Sequence, residues 1–424
     1  MKVRITRSAL GGTLTAPPSK SYTHRALICS ALAHGSSRIH RPLCSDDTEA
    51  TQRILRELGV DLSTAHAPWQ IEGGELLRPR SELFCGESGT TMRFMAAVCG
   101  LIDGESKLIG GPSLSQRPIG PLLDGLRQLG VDCSSVNGYP PITVKGKGRI
   151  RGGDVAVRGD ISSQFVSAIL LIAPLTDEGV SMKLTTPLES KPYVSMTMDI
   201  QRRFAVQVDR SEDMREFHVE KQSYSPTDYR VEGDWSSAAY PLGAGALAGQ
   251  VTVEGLNMES LQADASIVSI LHKMGVIMKL RNDAISVSES RLAGVDHDMS
   301  DCPDLFPIVS ALCASAEGKS VLKGVERLRY KESDRSTTMV DGLRGMGIQA
   351  TEHGQQVIIV GGNPKGCFID SRNDHRIAMA FAALAMAAEG ETTILNAECV
   401  SKSYPEFWED MESLGAQLRR SNSE

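Results

Sequence analysis

The stretch that decides the fold is TMRFMAAVCG at residues 91–100, which is followed by Gly104 and by LGV at residues 129–131. A segment that is apolar on nearly every side predicts a buried helix. The glycine after it predicts a left-handed helix C-cap, and a β-branched stretch then predicts a strand. An amphipathic helix that ends at its own glycine and two short strands complete a unit of about 70 residues.

Two independent markers repeat this unit along the chain. The middle residue of the Leu/Met-Gly-Val triplet or a close variant falls at positions 59, 130, 205, 275, 347 and 415. The glycine that closes the Ala-rich segment falls at positions 35, 104, 179, 249, 318 and 390. Since units of this size are too small for separate cores, we predict six repeats that share cores, as one ring or as two groups of three.

Two proline-containing segments mark the expected division between groups. They are TAPPS at residues 15–19 and YSPTDY at residues 224–229. Proline stiffens the chain at such points and disfavours helix. We therefore predict one lobe over residues 16–232 and a discontinuous second lobe over residues 1–15 and 233–424, in which the N-terminal strand pairs with the later segment.

Composition excludes several functions. The 424 residues carry a net charge of −7 and only 5% aromatics, unlike a nucleic-acid or anionic-membrane binder. Nine scattered cysteines without a C-x-x-C pair predict reduced thiols in a cytoplasmic protein. The N-terminus lacks a signal-peptide pattern, and the longest apolar stretch, residues 377–388, is too short to span a bilayer. The sequence has no Cys/His spacing typical of zinc sites and no phosphate-binding P-loop, so we expect neither a metal nor a cofactor.

Polar residues precede each buried helix. Ser, Asp and Asn are favoured there simply as N-caps, which is the alternative explanation for them. N-capping does not explain Lys20, Arg25, Arg93 and Arg376, because a cation in the first turns opposes the helix dipole. An anion bound between such a cation and the free backbone N–H groups would explain the arrangement.

Further cations lie in the loops of this acidic chain. They are Arg117 before a proline, Lys331 and Arg335 in KESDR at residues 331–335, and Lys402 in SKS at residues 401–403. Taken singly, a surface loop or a solvated helix start explains each of them. Together they indicate a small, multiply anionic ligand.

The motifs resemble, in order and over nearly the whole chain, the family of 5-enolpyruvylshikimate-3-phosphate (EPSP) synthases, or 3-phosphoshikimate 1-carboxyvinyltransferases. The motifs are PPSKS (17–21) with Arg25, GESGTTMR (86–93), RPI (117–119), SSQF (162–165), KESDR (331–335), DHR (374–376) and SKS (401–403). The resemblance implies a two-lobed α/β fold of six repeats, three per lobe, with helix N-termini facing an interdomain cleft that closes on its ligands. It also implies transfer of the enolpyruvyl group of phosphoenolpyruvate to the 5-hydroxyl of shikimate 3-phosphate through a tetrahedral intermediate, with release of phosphate, in chorismate and aromatic amino-acid biosynthesis.

The resemblance also implies residue roles. Expected phosphoenolpyruvate contacts are Lys20, Gly89, Arg117, Gln164, Arg335, Arg376 and Lys402. Expected shikimate 3-phosphate contacts are Lys20, Ser21, Arg25, Ser162, Ser163, Gln164, Ser190, Asp304 and Lys331. Ser190 rests on the shorter motif ESKPY at residues 189–193. The expected catalytic residues are Asp304 as the base for the attacking hydroxyl, Glu332 as the proton donor to the methylene carbon, and Lys20. The discontinuous lobe would carry the acid, the base and the Arg and Lys residues that bind phosphoenolpyruvate. The other lobe would carry most of the shikimate 3-phosphate contacts. The protein is expected to be a monomer.

Two departures and two alternatives stay open. Glu87 and Ser88 stand where many relatives have Asn and Ala, and Arg327 and Leu328 replace Asn and Trp of some relatives. The sister transferase that acts on UDP-N-acetylglucosamine is one alternative, although its usual cysteine is absent from the loop at residues 110–116. A non-catalytic anion-binding repeat protein is the other, disfavoured because carboxylates weaken anion binding.

Overall fold

The computed structural model describes residues 1–421, which fold into two compact units. One consists of Met1–Pro17 and the chain from Glu232 onward, and the other of Pro18–Val231. The chain thus passes from unit to unit between Pro17 and Pro18 and again between Val231 and Glu232. We call them the discontinuous unit and the continuous unit. The chain begins in the discontinuous unit with strands β1 (Lys2–Thr6) and β2 (Leu10–Thr15).

The continuous unit contains six helices and twelve strands among its residues. The helices are α1 (Lys20–Leu32), α2 (Asp46–Glu57), α3 (Gly89–Val98), α4 (Gly120–Gln128), α5 (Ser163–Ile172) and α6 (Lys191–Arg203). The strands are β3 (Gly35–His40), β4 (Asp61–Ser63), β5 (Trp69–Gly73), β6 (Leu83–Phe84), β7 (Asp103–Ile109), β8 (Asp132–Val136), β9 (Tyr139–Lys147), β10 (Gly153–Val157), β11 (Val180–Leu184), β12 (Asp209–Arg210), β13 (Glu216–Val219) and β14 (Asp228–Arg230).

These strands form three four-stranded sheets, in the orders β14-β3-β5-β4, β6-β7-β9-β8 and β10-β11-β13-β12. Each sheet has one parallel edge pair and is otherwise antiparallel. The apolar helices α1, α3 and α5 are buried along almost their whole length, whereas α2, α4 and α6 expose a polar face. One apolar core therefore runs through the unit, with the N-termini of the buried helices at its polar border.

The discontinuous unit has the same plan in its described residues. Its helices are α7 (Trp235–Ala248), α8 (Ile267–Lys273), α9 (Phe306–Ala314), α10 (Arg335–Gly345), α11 (His375–Ala385) and α12 (Phe407–Ser413). Its later strands are β15 (Gly249–Glu254), β16 (Ile277–Arg281), β17 (Ala284–Ser288), β18 (Asp296–Asp298), β19 (Lys319–Lys323), β20 (Gln349–His353), β21 (Gln356–Val360), β22 (Phe368–Asp370), β23 (Thr392–Leu395) and β24 (Gln417–Ser421). Its sheets have the orders β16-β17-β15-β2, β18-β19-β21-β20 and β22-β23-β1-β24.

The first fifteen residues complete two of these sheets. Strand β1 lies between β23 and β24 and is antiparallel to both, and β2 is parallel to β15. Val3 and Ile5 of β1 are fully buried in the apolar core that also contains α7, α9 and α11. The N-terminal segment is therefore part of the core of this unit, because its backbone and side chains fill positions that the later chain leaves open.

The glycine expected to cap the buried helix does so in α7 but not in α3. Helix α3 ends at Val98, a 3₁₀ turn over Cys99–Leu101 follows, and Gly104 lies in β7 with φ of +118°. Helix α7 does end against Gly249, but with φ of 160°, in extended backbone. Gly104 therefore lies in a strand instead of capping α3, whereas Gly249 both caps α7, its N–H donating to the oxygen of Gly245, and begins β15.

Other expectations concern membranes, thiols and metals. No helix within residues 1–421 combines the length and apolarity needed to cross a membrane. The nine cysteines are free thiols, and seven of them are buried. The described part of the chain has no group of three or more His, Cys, Asp or Glu side chains placed to hold a metal ion.

Candidate active site

In the continuous unit, the start of α1 carries an ion pair. Lys20 is the first residue of the helix, and its Nζ lies 2.8 Å from Oδ2 of Asp47 in the first turn of α2. The main-chain oxygen of Asp47 accepts a hydrogen bond from the hydroxyl of Thr91 in α3 at 3.2 Å. The first turns of three helices are thereby joined around Lys20, whose side chain is only 13% exposed.

Arg25, one helical turn further along α1, is buried and well bonded. Its Nε donates to Thr197 Oγ1 at 2.8 Å, and its Nη atoms donate to the main-chain oxygens of Ser21 and Tyr193 at 3.0 Å. Its guanidinium also lies 5.3 Å from the ring centroid of Phe94. Burial lowers the pKa of Arg25 to about 10, so the guanidinium stays charged at neutral pH. Arg25 thus links α1 to α6 as well as supplying positive charge.

The starts of α3 and α5 bring a second group together. Arg93 Nη1 donates to Gln164 Oε1 at 2.5 Å, and Gln164 Nε2 donates to Thr90 Oγ1 at 2.9 Å. A Cβ atom on Gly89 would lie 2.7 Å from Arg93 Nη1 and 2.9 Å from Arg117 Nη1. Gly89, Arg117 and Gln164, predicted from separate motifs, are therefore neighbours, and Arg93 joins them.

The close contacts of Gly89 lead to a prediction. Gly89→Ala is expected to displace both guanidiniums and to raise the KM for an anionic substrate bound there about tenfold or more, because bound anions depend on fixed guanidinium geometry. Steady-state kinetics would measure this. The control is Gly345→Ala in α10, where the nearest atom to a new Cβ is Cys367 Sγ at 3.5 Å. Equal KM values for G89A and G345A would contradict the prediction.

Serine hydroxyls lie at two further helix starts. Ser162 is the N-cap of α5, where its Oγ accepts from the main-chain N–H of Gln164 at 3.3 Å, and Ser163 is the first helical residue. Ser190 precedes α6 with φ of +52° and ψ of +47°, a left-handed conformation that is costly for serine. Because Ser190 is also 3% exposed, the fold itself maintains this strained backbone.

In the discontinuous unit, Arg335 is the centre of the charge network. It is the first residue of α10, and its side chain is 1% exposed. Its Nη1 lies 2.7 Å from Asp304 Oδ1, its Nη2 2.5 Å from Glu332 Oε2, and its Nε 2.8 Å from Asp374 Oδ2. One guanidinium thereby holds three carboxylates that lie 31, 3 and 39 residues away in the sequence.

Asp304, just before α9, receives two more cations. Arg376 Nη2 is 2.9 Å from its Oδ2, and Lys331 Nζ is 3.4 Å from its Oδ1. Burial would raise the pKa of this carboxyl, but the charges of Arg376, Lys331 and Arg335 outweigh burial and hold the pKa well below its ordinary value. Asp304 is therefore a carboxylate at neutral pH.

The remaining predicted cations border this network. Burial lowers the pKa of Lys331 to about 8, with Arg335 and Arg327 adding to the effect and Asp304 and Glu332 opposing it. Lys402 Nζ donates at 2.5 Å to the main-chain oxygen of Asn373, the residue before the N-cap of α11.

Two acidic residues of this network were not predicted from the sequence. Asp374, which is fully buried, caps α11 by accepting from the main-chain N–H of Arg376 at 3.0 Å, and it also accepts from Arg335. The DHR motif already contained this signal. Asp264, in a 3₁₀ turn over Ala263–Ser266, accepts a hydrogen bond from Ser236 Oγ at the start of α7. Nothing in the local sequence distinguishes Asp264 from an ordinary helix-start carboxylate.

Asp264 has an unusual electrostatic position. It is 2% exposed, and its Oδ1 has no hydrogen-bond partner within residues 1–421. Burial, followed by the negative charge of Asp304, raises its pKa to about 7, although Arg376 and Ser236 act in the opposite direction. The ordinary pKa of this carboxyl group is 3.8. Between about pH 4 and pH 7, Asp264 therefore keeps its proton in the folded state but has lost it in the unfolded chain.

Asp264→Asn is therefore expected to stabilise the protein at higher pH. A raised folded-state pKa leaves stability intact below the unfolded pKa and costs stability as the pH rises to the folded pKa. The gain in unfolding free energy of D264N should grow from near zero at pH 4 to at most about 4 kcal/mol at pH 7 to 8. Urea unfolding at several pH values would measure it, with Asp341→Asn, whose side chain is 68% exposed, as control. A gain that does not vary with pH would contradict the prediction.

The two sequence departures have local contacts. The Glu87 carboxylate accepts hydrogen bonds from the main-chain N–H groups of Ser113 and Leu114 at 3.3 and 2.7 Å. Arg327 donates from Nη2 to the main-chain oxygen of Ser300 at 2.6 Å, so it ties its own 3₁₀ turn to the segment that leads to Asp304. Leu328 is fully buried in the apolar core.

The geometry defines a class of protein. Both units present Arg, Lys and Ser side chains at the first turns of buried helices, where backbone N–H groups and the helix dipole favour anions. The discontinuous unit adds two carboxylates, Asp304 and Glu332, held by the same guanidinium. This combination is suited to an enzyme that binds small polyanions and moves protons, which is the chemistry of an enolpyruvyl transferase.

Comparisons with known proteins identify the family. The family model of EPSP synthase (3-phosphoshikimate 1-carboxyvinyltransferase) matches residues 5–411. The chain is 44% identical over 420 residues to a 3-phosphoshikimate 1-carboxyvinyltransferase of Dehalococcoides mccartyi, with 99% of each chain covered. It is 45% identical over 418 residues to that of Methanothermobacter thermautotrophicus, with 97% of this chain and 98% of the relative covered. The solved EPSP synthase from Acinetobacter baumannii superposes with a TM-score of 0.83 at 27% identity, covering both chains completely.

The chain therefore belongs to the EPSP synthase family. It is a transferase that moves the enolpyruvyl group of phosphoenolpyruvate to shikimate 3-phosphate, a step of the shikimate pathway. This confirms the predicted α/β enolpyruvyl-transferase fold, the reaction and the two substrates, and it decides against the sister transferase and the non-catalytic alternative.

Proposed function

We propose that the charged side chains described above carry out this transfer to the 5-hydroxyl of shikimate 3-phosphate through a tetrahedral intermediate. The observation that carries the proposal is the Arg335 network, in which one guanidinium holds the two predicted proton-transfer carboxylates, Asp304 and Glu332. An addition that protonates a methylene carbon and deprotonates a hydroxyl needs two such groups.

The phosphoenolpyruvate contacts are proposed as Lys20, Gly89, Arg117, Gln164, Arg335, Arg376 and Lys402. Gly89, Arg117 and Gln164 form one cluster in the continuous unit. Arg335 and Arg376 share Asp304 as a partner in the discontinuous unit, with Lys402 next to the cap of α11. Planar guanidiniums match the paired oxygens of carboxylate and phosphate groups, which supports this assignment.

The shikimate 3-phosphate contacts are proposed as Lys20, Ser21, Arg25, Ser162, Ser163, Gln164, Ser190, Asp304 and Lys331. Most lie at the starts of α1, α5 and α6 in the continuous unit, where hydroxyl groups and free N–H groups suit a phosphate. The strained backbone of Ser190 supports its place in the set, since such outliers cluster at ligand sites.

Asp304 becomes a base only when substrates are bound. Its pKa is held well below its ordinary value by Arg376, Lys331 and Arg335, against the effect of burial, so in the free protein it is a weak base. When substrate phosphate and carboxylate groups bind these cations, their positive charge is compensated and the proton affinity of Asp304 rises. The proton of the 5-hydroxyl then moves to Asp304 as the hydroxyl oxygen forms a bond to the carbon that carries the phosphate.

Glu332 has the complementary task. Its Oε2 accepts from Arg335 Nη2 at 2.5 Å, a contact that favours the carboxylate form. Binding of the phosphoenolpyruvate carboxylate to Arg335 would compete for that donor and allow Glu332 to take up the proton that it delivers to the methylene carbon. Glu332, now a carboxylate, takes a proton back from the resulting methyl group as the C–O bond to phosphate breaks, which restores the C=C double bond and releases phosphate.

Phosphate release with both substrates, beside a UDP-N-acetylglucosamine control, tests the proposal. The proposal is supported if phosphate is released with phosphoenolpyruvate and shikimate 3-phosphate but not with phosphoenolpyruvate and UDP-N-acetylglucosamine. Glu332→Gln should abolish this release while its circular dichroism spectrum stays unchanged. Incubation in D2O adds a direct readout, because E332Q should abolish deuterium incorporation into the methylene group of phosphoenolpyruvate. Incorporation at the wild-type rate would overturn the role of Glu332.

We also propose a cytoplasmic monomer. The nine free cysteines favour a reducing compartment, since structural disulfides form where the environment is oxidising. Every proposed substrate contact lies on this one chain, so the reaction requires no partner subunit. Light scattering on the purified protein should give the mass of a single chain.

A further inference from the structure

Glu87 joins two loops of the continuous unit. It lies in the loop before α3, and its carboxylate faces a loop of residues 110–117 that we call the Arg117 loop. Its Oε2 accepts from the N–H of Leu114 at 2.7 Å, and its Oε1 accepts from the N–H of Ser113 at 3.3 Å. Both N–H groups are at the start of the 3₁₀ turn over Leu114–Gln116, where backbone N–H groups have no acceptor within the turn itself. The charge of Glu87 is therefore used within the protein.

The close approach of Glu87 depends on Gly111. A Cβ atom on Gly111 would lie 2.3 Å from Glu87 Oε1 and 2.7 Å from Glu87 Cδ, and the three nearest atoms to it all belong to Glu87. The backbone of Gly111 also donates to the oxygen of Gly86 at 2.7 Å. Glu87 and Gly111 are thus matched residues on facing loops.

Gly89 and Arg117, two of the proposed phosphoenolpyruvate contacts, are both connected to the Glu87 carboxylate. Gly89, which packs against the Arg117 guanidinium, is two residues after Glu87. Arg117 closes the 3₁₀ turn, its N–H donating to the oxygen of Leu114 at 3.0 Å, while the N–H of Leu114 donates to Glu87. A shift of the Glu87 side chain would therefore change the position of Arg117 relative to Gly89.

We infer that Glu87 is a positioning residue that holds the Arg117 loop so that the guanidinium is preorganised for the phosphoenolpyruvate anion. This inference rests on the proposed role of Arg117. The physical basis is that a flexible cation must be ordered when its ligand binds, whereas a fixed one has already met that cost. Glu87 acts through Arg117 and makes no contact with the reacting atoms.

Kinetics of Glu87→Ala test the inference. The expected result is a KM for phosphoenolpyruvate at least tenfold higher, with the KM for shikimate 3-phosphate within twofold and kcat within threefold of wild type. Gly111→Ala should have a similar effect, because its new methyl group displaces the carboxylate. In the double variant E87A/G111A the second substitution should add nothing, since the group it displaces is absent. The matched control is Glu82→Ala, which removes only an exposed ion pair with Lys107.

Arg117→Ala separates the two proposals. If R117A raises the KM for phosphoenolpyruvate and E87A does not, the inference is wrong and the role of Arg117 stands. If R117A leaves this KM unchanged, the proposed role of Arg117 fails and the inference fails with it. Lower thermal stability of E87A with wild-type KM values would show a merely structural role and would overturn the inference. Additivity of G111A with E87A would also overturn it.

Discussion

Replacing Asp304 by alanine is expected to lower kcat for phosphate release by about 10²- to 10⁴-fold, the usual contribution of a positioned general base. Two effects combine in this loss. The attacking hydroxyl loses its proposed proton acceptor, and Arg376 and Lys331 lose a carboxylate partner that lies 2.9 and 3.4 Å away. Asp304→Asn, which keeps the shape without the charge, should lose nearly as much activity.

Asp304→Asn should also change the pH dependence of substrate binding. Burial lowers the pKa of Lys331 to about 8, and the charge of Asp304 opposes this effect. Without Asp304 the pKa of Lys331 falls further, so the lysine loses its proton at lower pH. In D304N, the KM for shikimate 3-phosphate is therefore expected to begin rising at a lower pH than in the wild type.

Steady-state phosphate release over pH 6 to 9 measures both effects. Asp301→Ala is the control, because Asp301 is an exposed carboxylate only three residues away. A kcat for D304A within tenfold of wild type would show that another group accepts the proton.

Replacing Arg335 by methionine is expected to destabilise the protein by about 3 to 5 kcal/mol, the usual cost of removing one partner from a buried ion pair. Arg335 is 1% exposed, and it compensates Asp304, Glu332 and Asp374, which are themselves buried or nearly so. Burial lowers the pKa of Arg335, but these three carboxylates raise it above its ordinary value overall. Without the guanidinium, three like charges remain close together in a poorly solvated site.

Urea unfolding of R335M at neutral and acidic pH measures this loss. The destabilisation should become smaller as the pH falls, because protonated carboxyl groups no longer need a counter-charge. Arg291→Met is the control, since that side chain is 84% exposed in its ion pair with Glu317. If R335M were no less stable than R291M, the charge network would not contribute to the fold.

Helix starts were accessible from the sequence because their chemistry is local. Ser88 accepts from the N–H of Thr91, and Asp334 accepts from that of Thr337, so each cap bonds to a group three residues away. The positions of buried helices followed from runs of apolar residues, and the order of the motifs pointed to the family. Short-range contacts of this kind depend little on the rest of the fold.

The contacts of the site depend on distant residues and were not predictable in this way. Arg335 meets Asp374 across 39 residues, and Asp264 meets Ser236 across 28. Glu87 accepts hydrogen bonds from backbone N–H groups 26 and 27 residues away, and no feature of the sequence marks those groups. A motif identifies a charged residue, but its partner is identified only when the sheets and helices are assembled.

The sequence by itself determined the repeat period, the buried helices, the cations at their first turns and the family to which the reaction belongs. Only the tertiary structure decided which carboxylate each cation holds, and hence that the pKa of Asp304 lies well below its ordinary value while burial raises the pKa of Asp264 to about 7. The physical reason is that the pKa of a carboxyl group depends on its burial and on the charges within a few ångströms. Both are set by packing between segments that are far apart along the chain.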